Sequence, residues 1–196
     1  MKSERTAALL VASVTGNTQK VADALQGELE RQGWNVLHLV NRERFEKTVE
    51  ADLYLVGFWC RKSSMDDSSR RLVNQYQGKP MLVFGTMGNY PTGDYADLVR
   101  GNVQEIVNAR NCCRGVFLCQ GKIREERTEA RRKLSPEEPH YLDDEGYRRQ
   151  LESRRHPNEE DLQNAVGWLK ERLTALTNDL GKEVQGEKED SGEAAE

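Results

Sequence analysis

The chain has 196 residues, of which 36% are hydrophobic and 32% are charged, and its formal net charge is −4. This length suits one α/β domain with additional segments, and no apolar run is long enough to cross a membrane. The acidic residues of segment 181–196 outnumber its lysines by four, so the rest of the chain is close to neutral, and we expect neither a nucleic acid nor a membrane among its partners.

The cysteines, Cys60, Cys112, Cys113 and Cys119, form no C-x-x-C pair, and their spacing from the histidines does not suit zinc or an iron–sulfur cluster. We therefore predict free thiols in a reducing cytoplasm and no metal site. The apolar stretch 7–14 is short and runs into a polar loop, so we do not interpret it as a signal peptide.

The first predicted strand, 6–12, is followed by the polar loop Ser13-Val14-Thr15-Gly16-Asn17-Thr18 and then by an amphipathic helix. A helix N-terminus offers unpaired N–H groups and a partial positive charge, and Gly16 allows the backbone to approach a ligand closely. Hydroxyls of Ser13, Thr15 and Thr18 add hydrogen-bonding groups. No lysine follows the glycine, so the loop is not a nucleotide P-loop. The pattern favours the terminal phosphate of a mononucleotide, although an ordinary polar turn with a helix cap is the alternative.

Further along the chain, strands and helices alternate. Segment 36–40 is interrupted by His38 and predicts an edge strand, whereas continuous apolar runs at 53–58, 81–85 and 115–119 predict strands covered on both faces. Apolar residues recur at helical spacing around Val21, Val99 and Leu162, with a weaker helix at 68–77. The alternation predicts a doubly wound, five-stranded parallel sheet with helices on both faces.

The loop after the first strand resembles the signature of the flavodoxin family, a Ser or Thr followed by x-T-G-x-T. Ser13, Thr15, Gly16 and Thr18 match it position by position. The resemblance implies the strand order 2-1-3-4-5, FMN as the cofactor, and a phosphate-binding role for residues 13–18, Asn17 included.

The loops after the next two central strands should lie beside the first, because ligands of open α/β sheets bind at the carboxyl ends of the strands. Segment 59–67 begins with Trp59, and segment 86–95 contains Thr86, Gly88 and Tyr90. Flavodoxins hold the isoalloxazine ring with residues of these loops, which makes Tyr90 the first candidate for stacking on the ring and Trp59 the second. A loop-packing role is the alternative for each.

A charged insertion, residues 121–156, separates the last predicted strand from the last helix. It contains ten Lys or Arg and nine Asp or Glu residues, and Pro136 and Pro139 divide it into two short helical stretches. It starts at the edge of the sheet that should hold the ligand. Its function would be to cover the cofactor or to dock a partner; the alternative is a solvated excursion that packs on the edge of the sheet. We assign residues 1–180 to one domain and predict that the acidic segment 181–196 is disordered.

Short motifs over residues 6–178, among them Gly57-Phe58-Trp59 and His156-Pro157-Asn158, resemble a flavodoxin-like subfamily of anaerobic bacteria. Some of its members accompany a bilirubin reductase. The resemblance implies an electron-transfer protein that assists a partner reductase, as a monomer or weak dimer, with no catalytic acid or base of its own. An NAD(P)H-dependent FMN or quinone reductase on the same fold, and a binding module without flavin, are the alternatives.

Overall fold

The computed structural model describes residues 5–40 and 48–190, with the side chains of the last helix described as far as residue 178. The strands are β1 (Thr6–Val11), β2 (Asn35–Val40), β3 (Leu53–Arg61), β4 (Ser64–Met65), β5 (Pro80–Met87) and β6 (Cys112–Gln120). The helices are α1 (Asn17–Arg31), α2 (Asp67–Asn74), α3 (Asp94–Asn108), α4 (Glu125–Arg132), α5 (Asp144–Glu152) and α6 (Glu159–Asp190).

The long strands form one sheet in the order β2-β1-β3-β5-β6, and every neighbouring pair is parallel. The predicted α/β fold, with helices around a parallel sheet, is therefore confirmed. The predicted strand count is wrong by one, because the two-residue β4 pairs antiparallel with the end of β3 and makes six strands. Without β4, the five parallel strands have the expected neighbours.

Both faces of the sheet are covered by helices. The face that carries Leu9, Leu55 and Leu82 packs on α1 and α6, and the opposite face packs on α2 and α3. The side chains of β1 alternate between these two clusters, as the pleat of a strand requires. Two apolar clusters, rather than one, explain why the central strands appear in the sequence as continuous hydrophobic runs.

Two glycines allow phenylalanines of the neighbouring strand to lie flat on the sheet. Gly57 of β3 pairs with Phe84 of β5, and Phe58 pairs with Gly85. A Cβ atom at Gly57 would lie 2.6 Å from the Phe84 ring, and one at Gly85 would lie 2.3 Å from the Phe58 ring. Both distances are shorter than carbon atoms tolerate, so each glycine provides the space for one buried ring on each face.

The insertion forms α4 and α5, which lie on either side of the segment that contains Pro136 and Pro139. This agrees with the two predicted helical stretches. Helix α6 continues to Asp190, so it extends into the segment predicted as disordered. Lys, Glu and Gln in this segment favour a helix despite their polarity. Residues 191–196 of the predicted tail lie outside the described residues.

Candidate functional site

The carboxyl ends of β1, β3, β5 and β6 meet at one edge of the sheet, and the strand order reverses between β1 and β3. Open α/β sheets bind their ligands at such a point. The predicted site residues are carried by the segments that leave this edge, so the topology brings them to one side of the molecule.

The loop between β1 and α1 has the features of an anion-binding turn. Gly16 has φ of +84°, a left-handed conformation that glycine adopts readily, and none of the described side chains caps the start of α1. The hydroxyl oxygen of Ser13 is buried and has no hydrogen-bond partner among the residues that the structure describes. A buried polar atom without a partner is costly, and its presence beside an uncapped helix N-terminus fits a phosphate group in this turn.

The other hydroxyls of the loop have protein partners. The Asn17 side-chain amide donates to Thr15 Oγ1 at 3.1 Å and to the Lys122 carbonyl at 2.9 Å. Thr18 is buried, and its hydroxyl donates to the Phe58 carbonyl at 3.3 Å and contacts Thr86 Oγ1 at 2.9 Å. Thr18 therefore connects α1 to β3 and β5, whereas the Ser13 hydroxyl has no partner in the described part of the chain.

Segment 59–67, predicted as a loop, is largely a β-hairpin. Strand β3 continues to Arg61, where it pairs with β4 across a turn in which Lys62 and Ser63 both have positive φ. The loop prediction was wrong because neither turn residue is a glycine or asparagine, the residue types that usually indicate such a turn. Trp59 is half-buried and lies in β3 directly opposite Thr86 of β5.

The segment after β5 is in contact with the insertion. Strand β5 continues to Met87, so Thr86 belongs to the strand and is buried. A Cβ atom at Gly88 would lie 2.6 Å from Ile123, so the insertion covers this glycine. Tyr90 is 38% exposed, and its hydroxyl donates to the Glu152 carboxylate at 3.2 Å. The structure thus connects the first candidate ring-stacking residue to α5.

Sequence reasoning missed Asp66, which is buried at the start of α2. Its carboxylate accepts hydrogen bonds from the backbone N–H groups of Ser68 and Ser69, and from that of Trp59 at 3.4 Å. Asp66 therefore fixes the backbone of Trp59 while it caps a helix. The signal was present in the sequence, because an aspartate followed by Asp67-Ser68-Ser69 is a typical helix start. Ile123 was also missed, and no local pattern distinguishes it.

Burial argues against thiol chemistry at three of the four cysteines. Burial raises the pKa of the Cys60 and Cys113 thiols, and it raises the pKa of Cys119 to about 12. These three thiols are therefore protonated at neutral pH and are poor nucleophiles. The pKa of Tyr90 is raised by burial and by its contact with Glu152, so its hydroxyl is a donor at neutral pH.

Within residues 5–40 and 48–190, no group of three or more His, Cys, Asp or Glu side chains is arranged to hold a metal ion. In the same residues, no helix combines the length and the hydrophobicity that a membrane span requires.

Comparison with known proteins identifies the family. Residues 8–170 match the model of the flavodoxin domain, and the chain belongs to the flavodoxin family. It is 30% identical over 178 residues to a flavodoxin-like domain-containing protein, BilS, of Clostridioides difficile (strain CD3). This match covers 84% of the chain and 94% of that relative.

Among solved structures, the chain is similar to oxidised flavodoxins 1 and 2 from Bacillus cereus. The TM-scores are 0.53 and 0.55, at 12% and 14% sequence identity. The matches cover 86% and 87% of this chain and 97% and 99% of the two flavodoxins. At these identities the similarity establishes the fold.

Proposed function

We propose that the protein binds FMN at the carboxyl edge of its sheet and transfers electrons to a partner reductase. The observation that carries the cofactor assignment is the Ser13 hydroxyl, which is buried at the start of α1 and has no partner within residues 5–40 and 48–190. An FMN phosphate would accept from this hydroxyl, from Thr15, and from the first backbone N–H groups of α1. Membership of the flavodoxin family supports the same cofactor.

The ring side of the site is assigned to Trp59, Thr86, Gly88 and Tyr90. Trp59 and Tyr90 offer aromatic faces, which favour contact with a flat ring by roughly 0.5–1.5 kcal/mol beyond area burial. Thr86 lies opposite Trp59 on the neighbouring strand, and Gly88 follows that strand two residues before Tyr90. Bound FMN supplies the redox chemistry, and the residues of the chain hold it, orient it and restrict solvent around it.

The partner assignment depends on the subfamily resemblance and on the match to BilS along most of the chain. We propose a cytoplasmic protein, monomeric or weakly dimeric, that passes electrons to a reductase, with a bilirubin reductase as the first one to test.

Two variants test the phosphate assignment. Ser13→Ala and Thr15→Ala should each weaken FMN binding by roughly 1.5–3 kcal/mol, because each removes a donor to a charged acceptor. Riboflavin, which lacks the phosphate, should lose much less affinity. The two dissociation constants come from quenching of flavin fluorescence, and Ser68→Ala, at the start of α2, is the matched control. Equal losses for FMN and riboflavin would exclude this loop as the phosphate site.

Ser13→Ala has a second expected effect that separates ligand binding from folding. Among the described residues the buried Ser13 hydroxyl has no partner, and a buried hydroxyl without a partner costs roughly 1–3 kcal/mol. The alanine variant should therefore be at least as stable as the parent without FMN, yet less stabilised by FMN. A loss of stability in the flavin-free protein would show that the hydroxyl has a structural role instead.

Electron transfer is tested by reducing the FMN-loaded protein anaerobically and mixing it with a bilirubin reductase and its substrate. Re-oxidation of the flavin that requires the reductase would support the proposal. If NAD(P)H alone bleaches the flavin at a useful rate and the reductase has no effect, the protein is an NAD(P)H-dependent reductase on this fold.

A further inference from the structure

The side chain of Asn17 lies between the anion-binding turn and the insertion. A side-chain amide has two N–H donors, and Asn17 directs one to Thr15 Oγ1 at 3.1 Å and the other to the Lys122 carbonyl at 2.9 Å. Since the Thr15 oxygen accepts this bond, its own proton is available for a ligand in the turn. The Asn17 side chain thus contacts both Thr15, which we propose to bind the phosphate, and Lys122 at the beginning of the insertion.

The contact on the insertion side is close. The residue before Lys122 is Gly121, whose N–H donates to the Met87 carbonyl at 2.8 Å. A Cβ atom on Gly121 would lie 3.0 Å from the Asn17 amide nitrogen and 3.1 Å from Thr86. The backbone at Gly121, directly after β6, therefore packs on the Asn17 side chain. Asn17 has little space to move without displacing this backbone.

Two hydrogen bonds join the beginning of the insertion to its end. The Lys122 N–H donates to the His156 carbonyl at 2.9 Å, and the Ile123 N–H donates to Ser153 Oγ at 3.2 Å. The two ends of the insertion are thus joined to each other next to Asn17. Because of this closure, a change in the position of Lys122 affects both ends of the insertion together.

We infer that Asn17 is a positioning residue that couples phosphate occupancy of the turn to closure of the insertion over the site. The inference rests on the proposed function. A phosphate bound by Thr15 would hold Thr15 and Asn17 in the arrangement that binds Lys122, and a closed insertion would hold the turn ready for phosphate. Such a coupling is reciprocal: the factor by which bound FMN favours the closed insertion equals the factor by which closure raises the affinity for FMN.

The test measures how readily trypsin cleaves the insertion, whose ten Lys and Arg residues lie on both of its helices and at its base. Cleavage of a folded segment requires that it open first. In the full-length protein, saturating FMN should slow cleavage within residues 122–155 about fivefold or more relative to saturating riboflavin. In Asn17→Ala this difference should disappear. Asn164→Ala, an exposed asparagine on α6, should retain it.

Asn17→Asp provides a second variant of nearly the same shape that cannot donate to the Lys122 carbonyl, and it should behave like Asn17→Ala. Hydrogen exchange at Lys122 and Ile123 in the same four proteins reports closure without a protease. Equal protection by FMN and riboflavin in the parent protein, or an FMN effect that persists in both Asn17 variants, would overturn the coupling. An absence of FMN binding, seen by fluorescence in parallel, would overturn the proposed function and the coupling with it.

Discussion

The sheet and the insertion differ in what fills their interiors. Nearly every side chain of the central strands is buried and apolar, as in the runs of β1 and β5. Among residues 121–156, all of which the structure describes, the buried hydrophobic side chain is Leu142 alone, and the buried polar ones are Thr128, Gln150 and Ser153. The sheet is therefore stabilised mainly by hydrophobic burial, and the insertion mainly by hydrogen bonds and ion pairs.

This difference has a functional consequence. Segments with few buried apolar contacts open locally at a lower free energy than the core of the same protein. We therefore expect the insertion to open at a lower free energy than the sheet does. The proposed cofactor site, at the edge of the sheet beside the insertion, would then have one rigid side and one side that opens.

The largest expected effect contrasts Phe58 with Leu142. Phe58→Ala should lower the free energy of unfolding by about 3–5 kcal/mol, since it leaves a cavity above Gly85 that the rigid sheet cannot close. Leu142→Ala should change the main denaturant transition much less and should instead accelerate trypsin cleavage within the insertion. If the two variants shift the main transition equally, the insertion folds as part of the core.

Removal of the insertion is the second test. We expect that replacing residues 124–153 with a short Gly/Ser linker leaves a folded domain that binds FMN, because Lys122 and His156 are already hydrogen-bonded to each other. Circular dichroism, flavin fluorescence and the denaturant transition measure this outcome. The same variant should transfer electrons to its reductase more slowly, or react faster with small oxidants.

Failure of this variant to fold would make the insertion structural. If it folds and its electron transfer is unchanged, the docking surface lies elsewhere on the site edge.

Much of the rigid side could be predicted from the sequence, because its signals are local. The apolar runs predict the strands, which the structure confirms. The hydroxyls around Gly16 predict an anion-binding turn, which stays a prediction. What the sequence did not reveal depends on contacts between distant segments. Thr18 binds Thr86, 68 residues away, and Ile123 covers Gly88. The sequence alone does not show that the Thr18 hydroxyl contacts β3 and β5, whereas the Ser13 hydroxyl of the same loop has no partner among the described residues.

A smaller effect is expected from Arg132, whose interactions lie within the insertion. Its guanidinium donates to the Leu142 carbonyl at 2.9 Å and to Asp144 at 2.6 Å, and it lies 5.0 Å from the Tyr147 ring centre. Arg132→Ala should speed trypsin cleavage of the insertion several-fold and leave the main unfolding transition unchanged. The exposed Lys133→Ala is the control.

High salt should reduce the difference between Arg132→Ala and the parent, since part of the Arg132 interaction is an exposed ion pair. A difference that does not depend on salt would point to lost packing on Tyr147 as the cause.

The smallest expected effect concerns the contact between the two regions through Tyr90. Tyr90 and Tyr95 are similarly exposed, at 38% and 39%, but the Tyr90 hydroxyl donates to Glu152 of the insertion, whereas the Tyr95 hydroxyl contacts Ser63 of the hairpin. Tyr90→Phe should slightly increase cleavage of the insertion at neutral pH, and Tyr95→Phe should not.

The pH dependence of this contact has a definite sign. The pKa of Tyr90 is raised above its ordinary value of 10.0, by burial and by Glu152. A group whose pKa is higher in the folded state stabilises that state fully below its ordinary pKa and loses this contribution as the pH rises through the folded value. The protection that Tyr90 gives the insertion should therefore be constant near neutral pH and disappear in the alkaline range above 10.0. There the parent protein should be cleaved as readily as Tyr90→Phe, with Tyr95→Phe following the parent at every pH. The cleavage rates of the parent and of Tyr90→Phe could instead differ equally at neutral and alkaline pH. This result would show that the ring of Tyr90, and not its hydroxyl, makes the contact with the insertion.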